Sequence, residues 1–556
     1  MAHIKSHRTP FLTVSVFLGI IVTLFNYSFG NNDHIEQLPI IYRTLDADYL
    51  TNDFFVNSNA GFSPRYYYSK FVGFLGFLIG IPLFFFIGTL LSNIAVSILT
   101  YLCAKTLFKN ELTGIIASAM VMVMPTIALG GDLVLYASMF TPTTLVFPMI
   151  LLAFYFFLKE KMLLCVLTTG VASIFHVLIG FEYGVLFLFV SIILDIIQKK
   201  GFKIILKKLS LFVVILVFLL PNLIPHFQQN TVIESSLFIE IVAKFRHPHH
   251  YILGGVLPGA DFLKLFIIEF IILITFGIVK RNITEARHLK SIETFTILFS
   301  LGAGLSFIFV EGFPTKLVTT LQFLRLLNFG KWLLLILVSY FIALEISKRK
   351  FNLRNRLTII LFGLLILMSG ISIAKIILSI TLFSFLIFLS YRQKKKNFTV
   401  ISTVLIGLIL ILNVVNISKL GPYQKKYLSS KGLTNTESEL SKFIQSNTEK
   451  NSVFLAPHLF GFLRTETKRA IVVDFKAFPF QEGAMQEWYQ RIKDCYGLDT
   501  YEFEEVYKSV TDEKILQLQQ KYHFNYAVLH EETQTKIPTI YSNSEYKIID
   551  LASYAQ

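Results

Sequence analysis

Residues 10–55 read PFLTVSVFLGIIVTLFNYSFGNNDHIEQLPIIYRTLDADYLTNDFF. The first twenty carry no charge and are long enough to cross a bilayer's hydrocarbon core as a helix. The remainder, residues 30–55, holds five carboxylates (Asp33, Glu36, Asp46, Asp48 and Asp53) and one histidine, His34. The leader HIKSHR before the apolar run resembles the start of a signal peptide, but a small-residue cleavage site does not follow; NYSFGNND does. The run therefore reads as a retained span, and the acidic loop lies on the side opposite the basic amino terminus.

That alternation continues along the chain. Of 556 residues, 54% are hydrophobic and only 16% charged, where soluble domains carry about a quarter charged, so the composition is that of a membrane protein. Apolar runs are expected to span at 10–29, 71–104, 112–130, 141–158, 162–179, 180–197, 210–226, 262–279, 292–310, 325–346, 357–371, 373–391 and 398–416. The 71–104 run is too long for one perpendicular helix; it is either an interfacial helix followed by a span or one tilted helix. One set of connections is basic: KTLFK, KEK, QKKGFKIILKK, VKRNITEARHLK, SKRKFNLRNR and YRQKKK. The other contains the acidic first loop, GGDLVLYASMF, HVLIGFEYG, residues 227–261, EGFPTK and SGIS. Lys and Arg concentrate in cytoplasmic loops, which places the first set and the amino terminus inside. The net charge of +15 is thus a topology signal carried by the first 419 residues, and nucleic acid is not an expected partner.

From 420 onward no spanning run remains. NSVFLAP, AIVVDF, FNYAVL and YKIIDL read as short buried strands, with QEGAMQEWYQRIKD and EEVYKSVTDEKILQLQQKY helical between them. The expected architecture is mainly α: a polytopic domain of about 11–13 transmembrane helices over 1–419, with its acidic external loop at 30–70. An extracytoplasmic α/β domain with a partly parallel sheet follows over 420–556. No glycine-rich phosphate loop joins strand to helix. The three cysteines, Cys103, Cys165 and Cys495, form neither a disulfide framework nor metal-knuckle spacing.

Sorted by side, the outer face collects Asp33, His34, Asp46, Asp48, Asp53, Asp132, His176, Glu182, His247, His249, His250 and, at the edge of its span, Arg325. Ionisable groups at membrane depth are costly and normally line a cavity or pair with one another. Asp46 and Asp48 read as solvated loop acids or caps. Asp33 lies just beyond a span end, and Asp53 precedes an aromatic pair that can return the loop to the interface. Asp132 follows Gly130 and Gly131. HPHH is not a zinc pattern, since no second ligand pair accompanies it; contact with phosphate or proton transfer suits it better. Glu269 is expected to pair with Lys264 or another span. Arg325 either holds a phosphate bidentately or snorkels to the headgroups.

Outside the cytoplasm an activated group arrives on a lipid carrier, typically a polyprenyl phosphate. Transfer from it needs a carboxylate base for the acceptor hydroxyl, and cationic groups or a carboxylate-held metal for the departing phosphate. The loop NDHIEQLPIIYRTLDADYLTNDFF, the many spans and the external α/β tail resemble the GT-C superfamily of integral membrane glycosyltransferases. Its members include oligosaccharyltransferase, the protein O-mannosyltransferases and the lipid A aminoarabinose transferase. NDHIEQLP, FHVLIG, RHPHHY, QFLRLLNFG and KRAIVVDFKAFPFQEGAMQEWYQRIKD resemble a bacterial membrane family related to that superfamily.

The resemblance implies an enzyme of the bacterial plasma membrane that moves a sugar from a polyprenyl-phosphate donor to a glycan, lipid or protein. By that resemblance Asp33 is a candidate catalytic acid, with Asp132 matched by position; Asp53 joins them from its place beside the aromatic pair in NDFF. Asp33 and Asp132 are also candidate ligands of a divalent ion, Mg or Mn. His34, His176, His249, His250 and Arg325 are candidates for the donor phosphate. Arg469, Asp474, Trp488 and Arg491, with Arg464 and Lys476 beside them, are candidates for acceptor contact or domain docking. The tail lacks a W-W-D-Y-G signature, so a reader of Asn-glycosylation sequons is not expected. A flippase or transporter of an anionic or lipid-linked substrate, and a non-catalytic envelope scaffold, are the alternatives. Internal repeats and Gly/Pro-broken spans in matching halves would mark a transporter, and neither is evident.

Overall fold

The computed structural model describes residues 9–123, 135–228, 232–252, 275–347 and 433–551. The fold is mainly α, with a small mixed sheet near the carboxyl end. Five of the described helices are long and apolar enough to cross a membrane: Ile81–Phe108, Val177–Ile197, Phe202–Pro225, Ala286–Gly312 and Lys316–Leu344. Shorter apolar helices cover Leu12–Asn26, Glu111–Met122, Pro142–Leu158 and Met162–Phe175. The spans expected at 357–371, 373–391 and 398–416, most of 262–279, and both Lys264 and Glu269 lie outside the described residues. The long 71–104 stretch is two helices, Tyr66–Ile79 and Ile81–Phe108. They part at Gly80, whose φ of 91° is a conformation that other residues rarely adopt.

The chain forms two compact units. The first comprises Met1–Tyr27, Ile87–Pro221 and Val242–Gly421. Its helices differ sharply in how much they bury. The most apolar window of Phe202–Pro225 is 11% buried, that of Lys316–Leu344 is 100% buried. Apolar side chains exposed around most of a helix need lipid as their solvent. The buried helix carries Phe329 and Trp332 into an aromatic cluster with Phe154, Phe187 and Phe295. Between apolar helices, polar side chains supply the adhesion that hydrophobicity cannot. Asn93 both donates to and accepts from the Ala137 backbone, at 2.8 and 2.7 Å. Trp332 Nε1 donates to Thr100 Oγ1 at 2.9 Å. At one helix end, fully buried Asp195 pairs with Lys208, with Lys200 at 3.0 Å and with Arg287 at 3.3 Å.

The second unit comprises Ser28–Phe86, Asn222–Ile241 and Pro422–Gln556. Its sheet has the order β2-β1-β3-β5-β4, with β1 Val453–Leu455, β2 Ala470–Ile471, β3 Tyr526–His530, β4 Thr539–Ser542 and β5 Tyr546–Asp550. β1 lies parallel to β2 and β3, whereas β5 is antiparallel to β3 and β4. The four expected strands are present. β4 is an additional edge strand, turned back by Asn543, whose Oδ1 accepts from the Glu545 and Tyr546 amides. Helix Glu482–Tyr496 matches its expectation, and the second helical stretch is divided into Phe503–Lys508 and Asp512–Tyr522. Phe454, Leu463, Ile471, Val528 and Ile548 form a core on the sheet.

Candidate functional site

Two polar groupings hold most of the candidate residues, one in each unit. In the helical unit the construction begins where Met162–Phe175 turns into Val177–Ile197. His176 is the junction. It ends one helix and caps the next, with Nδ1 accepting from Ile179 N at 3.4 Å. The tight reversal requires Gly180, because a Cβ there would lie 2.1 Å from Ser173 N.

Arg325 reaches this junction from a broken helix. Lys316–Leu321 ends at Gln322, which adopts the left-handed conformation (φ 50°, ψ 46°). A single 3-10 turn, Phe323–Leu326, then carries Arg325 before Leu327–Ser347 resumes. The break aims the Arg325 guanidinium at His176, Nη1 to Nε2 at 3.2 Å. Tyr183 OH donates to the Arg325 carbonyl at 3.3 Å and so fixes the backbone of the turn.

A neutral imidazole accepts through one nitrogen only. Arg325 can only donate, so its Nη1–H bonds Nε2 in the tautomer whose hydrogen sits on Nδ1, while the longer approach of Ile179 N to Nδ1 belongs to the other tautomer. The contact places the Arg325 guanidinium beside the amino end of a 21-residue helix, whose dipole favours negative charge. An anion suits that arrangement.

Glu182 lies farther along the same helix and is 5% exposed, with no hydrogen-bond partner for either carboxylate oxygen. The PHHY turn of residues 248–251 packs against the Arg325 turn. From that turn Tyr251 OH is hydrogen-bonded by Gln322 Nε2 and senses both Arg325 and Glu182. The His247 and His250 rings stack at 5.6 Å, and Arg246 Nη1 is 3.4 Å from His247 Nδ1. Thus His176, Arg325 and the HPHHY segment, far apart in sequence, gather at one place. Glu182 was marked in the sequence only as an outer-face charge. Tyr251 and Gln322 were not singled out, although both adjoin residues that were.

The second grouping surrounds the first loop. Asp33 ends as a half-exposed carboxylate, with Lys476 Nζ 2.9 Å from Oδ1. Burial works to raise its pKa, but the Lys476 ion pair, assisted by Arg65 and His34, holds the carboxyl below the usual range. His34 is fully buried, its Nδ1 accepting from Gly30 N at 3.1 Å and its ring edge-on to Phe85. Nearby, Arg65 pairs with Glu36 at 2.7 Å.

Asp53 is placed differently. It is fully buried as the cap of Phe54–Ser58, Oδ1 accepting from Val56 N at 3.0 Å. Oδ2 accepts from Arg464 Nε at 2.7 Å and Ile471 N at 3.0 Å. Arg464 is itself fully buried and also bonds Asp474. Burial would lower the guanidinium pKa, yet the two carboxylates more than offset it and keep the charge. Neither Asp53 nor Asp474 presents an open face in this arrangement. Trp488 Nε1 donates to the Asp474 carbonyl at 3.0 Å, and Arg491 lies 4.2 Å over the Phe54 ring. Arg469 donates to the Thr448, Thr467 and Gln445 carbonyls, closing the end of helix Asn435–Asn447.

Asp132 lies outside the described residues, and nothing is described of the His249 side chain. Among the described residues, no three His, Cys, Asp or Glu side chains are grouped to hold a metal. Asp33, the one candidate ligand placed, faces an ammonium rather than a second ligand.

Residues 435–495 match a family described as a domain of unknown function, DUF6798. No curated protein matches the chain. Among solved structures it is similar to ArnT of Cupriavidus metallidurans, bound to undecaprenyl phosphate, at 12% identity and a TM-score of 0.48, over 97% of each chain. The apo state of the same protein gives 12% identity and a TM-score of 0.46, over 97% of this chain and 96% of that one. It is also similar to the oligosaccharyltransferase AglB of Archaeoglobus fulgidus, solved with an inhibitory peptide and a dolichol-phosphate. There the identity is 12% and the TM-score 0.42, over 94% of this chain and 69% of AglB. These likenesses assign neither an activity nor a residue role.

Proposed function

We propose that this chain is an integral membrane glycosyltransferase that takes a sugar from a polyprenyl-phosphate carrier and passes it to an extracytoplasmic glycan, lipid or protein. The observation that carries the reading is the placing of the Arg325 guanidinium against His176 at the amino end of Val177–Ile197. A phosphate monoester or diester oxygen is the acceptor such a pair accommodates. Sited among apolar helices, the pair suits a phosphate whose ester chain is itself apolar.

In this reading the acceptor oxygen bonds to the anomeric carbon as the bond from that carbon to the carrier phosphate breaks. The bonding pair leaves on the phosphate, whose charge Arg325 and His176 stabilise. The acceptor's proton passes to a carboxylate, for which the first-loop Asp33 is the candidate to vary. Held low by Lys476, Asp33 is a weak base until that contact loosens.

Comparison of cell-envelope glycans tests this. Loss of the protein is expected to remove or shorten one glycan class, which the wild-type chain restores. Arg325→Gln, made and inserted at normal levels, should restore it at least 100-fold less well, as should Asp33→Asn. An unchanged glycan profile without the protein would end the glycosyltransferase reading. Full restoration by Arg325→Gln would end the phosphate assignment.

A further inference from the structure

The donors at Arg325 account for an anion but leave the acceptors beside them unexplained. Both oxygens of Glu182 lack a hydrogen-bond partner at 5% exposure. Gln322 is 9% exposed; it spends its amide nitrogen on Tyr251 OH, and its Oε1 has no partner. Gln322 bonds Tyr251 OH from the turn that also carries Arg325.

Buried polar atoms are almost always bonded, and a buried carboxyl group without partners is a costly exception. Such a group persists where a partner arrives from outside. Three open oxygens, two of them on one carboxyl group, suit a ligand that carries hydroxyl groups. The Arg325 guanidinium, three residues from Gln322, suits an anion on the same ligand. A phosphate ester bearing hydroxyl groups meets both demands. We infer that Glu182, together with the Gln322 side-chain oxygen, reads the hydroxyl groups of the carried sugar while Arg325 and His176 hold its phosphate. This rests on the donor reading above and adds where the sugar's identity is sensed.

A site built to bond a hydroxyl discriminates strongly against a ligand that lacks it, because its own groups are then left unpaired. Binding can therefore be measured on the full-length protein in lipid nanodiscs. The probes are bare undecaprenyl phosphate and undecaprenyl phosphate carrying glucose, galactose, mannose or N-acetylglucosamine. Wild-type protein should bind at least one glycosylated carrier tenfold or more tightly than the bare carrier. Glu182→Gln should lose most of that preference while binding the bare carrier within about twofold of wild type. Arg325→Gln should lose both.

Retained sugar preference in Glu182→Gln overturns the inference and leaves the glycosyltransferase reading standing. So does a wild-type protein that binds the bare carrier as tightly as every glycosylated one. Failure of wild type to bind any carrier overturns the glycosyltransferase reading, and this inference with it. Thermal unfolding separates recognition from support. Glu182→Gln should melt no lower than wild type, since the amide keeps the size and polarity of a carboxyl group that has no protein partner to lose. A variant that melts well below wild type and no longer binds bare carrier would show that Glu182 is structural, which also overturns the inference.

Discussion

Arg464 is a charge held wholly inside protein, and its surroundings decide what its loss costs. Arg464 is fully buried but spans two carboxylates, Asp53 and Asp474, and its ring-facing side lies 5.3 Å from Phe55. Removing one partner from such a group strands the others in a medium where an unpaired charge is expensive. Arg464→Met should destabilise the second unit by about 3–5 kcal/mol, because two buried carboxylates lose their counter-charge together. Arg464→Lys should recover little, since a point ammonium does not reproduce the fork that bonds both acids. Thermal unfolding of the purified protein measures both, and a loss under about 1 kcal/mol for Met would mean that the cluster is replaceable packing. By contrast, the Asp33–Lys476 pair is 45% and 31% exposed, so solvent screening leaves it about 0.2–1 kcal/mol. Its importance lies in the protonation state it sets rather than in stability.

The helix pair Met162–Phe175 and Val177–Ile197 delivers His176 and Glu182, and its geometry depends on one close approach. A Cβ at Gly180 would sit 2.1 Å from Ser173 N and 2.4 Å from Ser173 Cα, which are backbone atoms that cannot rotate away. Gly180→Ala should therefore force the two helices apart at the His176 turn. It should cost about 1–3 kcal/mol and weaken carrier binding in parallel. Normal melting and normal binding would show that the reversal can open enough to relieve the 2.1 Å approach. This element also marks what the sequence made legible. The apolar runs at 162–179 and 180–197 announced two helices, and the lone Arg325 in QFLRLLNFG announced a group with a reason to be there. The strands at 453–455 and 526–530 showed as short apolar runs. β4 did not, because TIYS is a mostly exposed edge with no alternation to betray it. The role of Asp53 was hidden for another reason. Its partner stands 411 residues away, and a pairing at that distance leaves no local periodicity.

The second unit is assembled from stretches distant in the chain, and this bears on whether the tail is an independent domain. Apart from Asp53, the loop supplies Tyr49, whose OH donates to the Arg464 carbonyl at 2.5 Å, and Asn52, which bonds the Asn451 carbonyl at 2.9 Å. From the tail, Gln481 Nε2 bonds the Phe62 carbonyl at 2.8 Å. Ala477 is buried among Ile40, Tyr49, Leu50, Phe55 and Val56. Glu482 accepts from Ile233 N at 2.7 Å, so residues 222–241 contribute too. The tail without these stretches keeps its sheet but exposes the face that the loop covers, and Arg464 retains one carboxylate instead of two. A soluble fragment of residues 433–551 should consequently be far less stable than the same fragment joined by a flexible linker to residues 30–66. If the lost Asp53 pairing alone is worth about 3–5 kcal/mol, the difference in Tm should be about 10 °C or more for a domain of this size. Asp53→Ala in the joined form should erase most of the gain, whereas Asp46→Ala, an exposed loop acid, should leave it intact. Equal melting of the two fragments would show that the loop merely rests on a self-sufficient domain. The expected result would instead make the first loop part of the tail's core, so that a change in the tail at Arg464 or Asp474 is also a change in how Asp33 is presented.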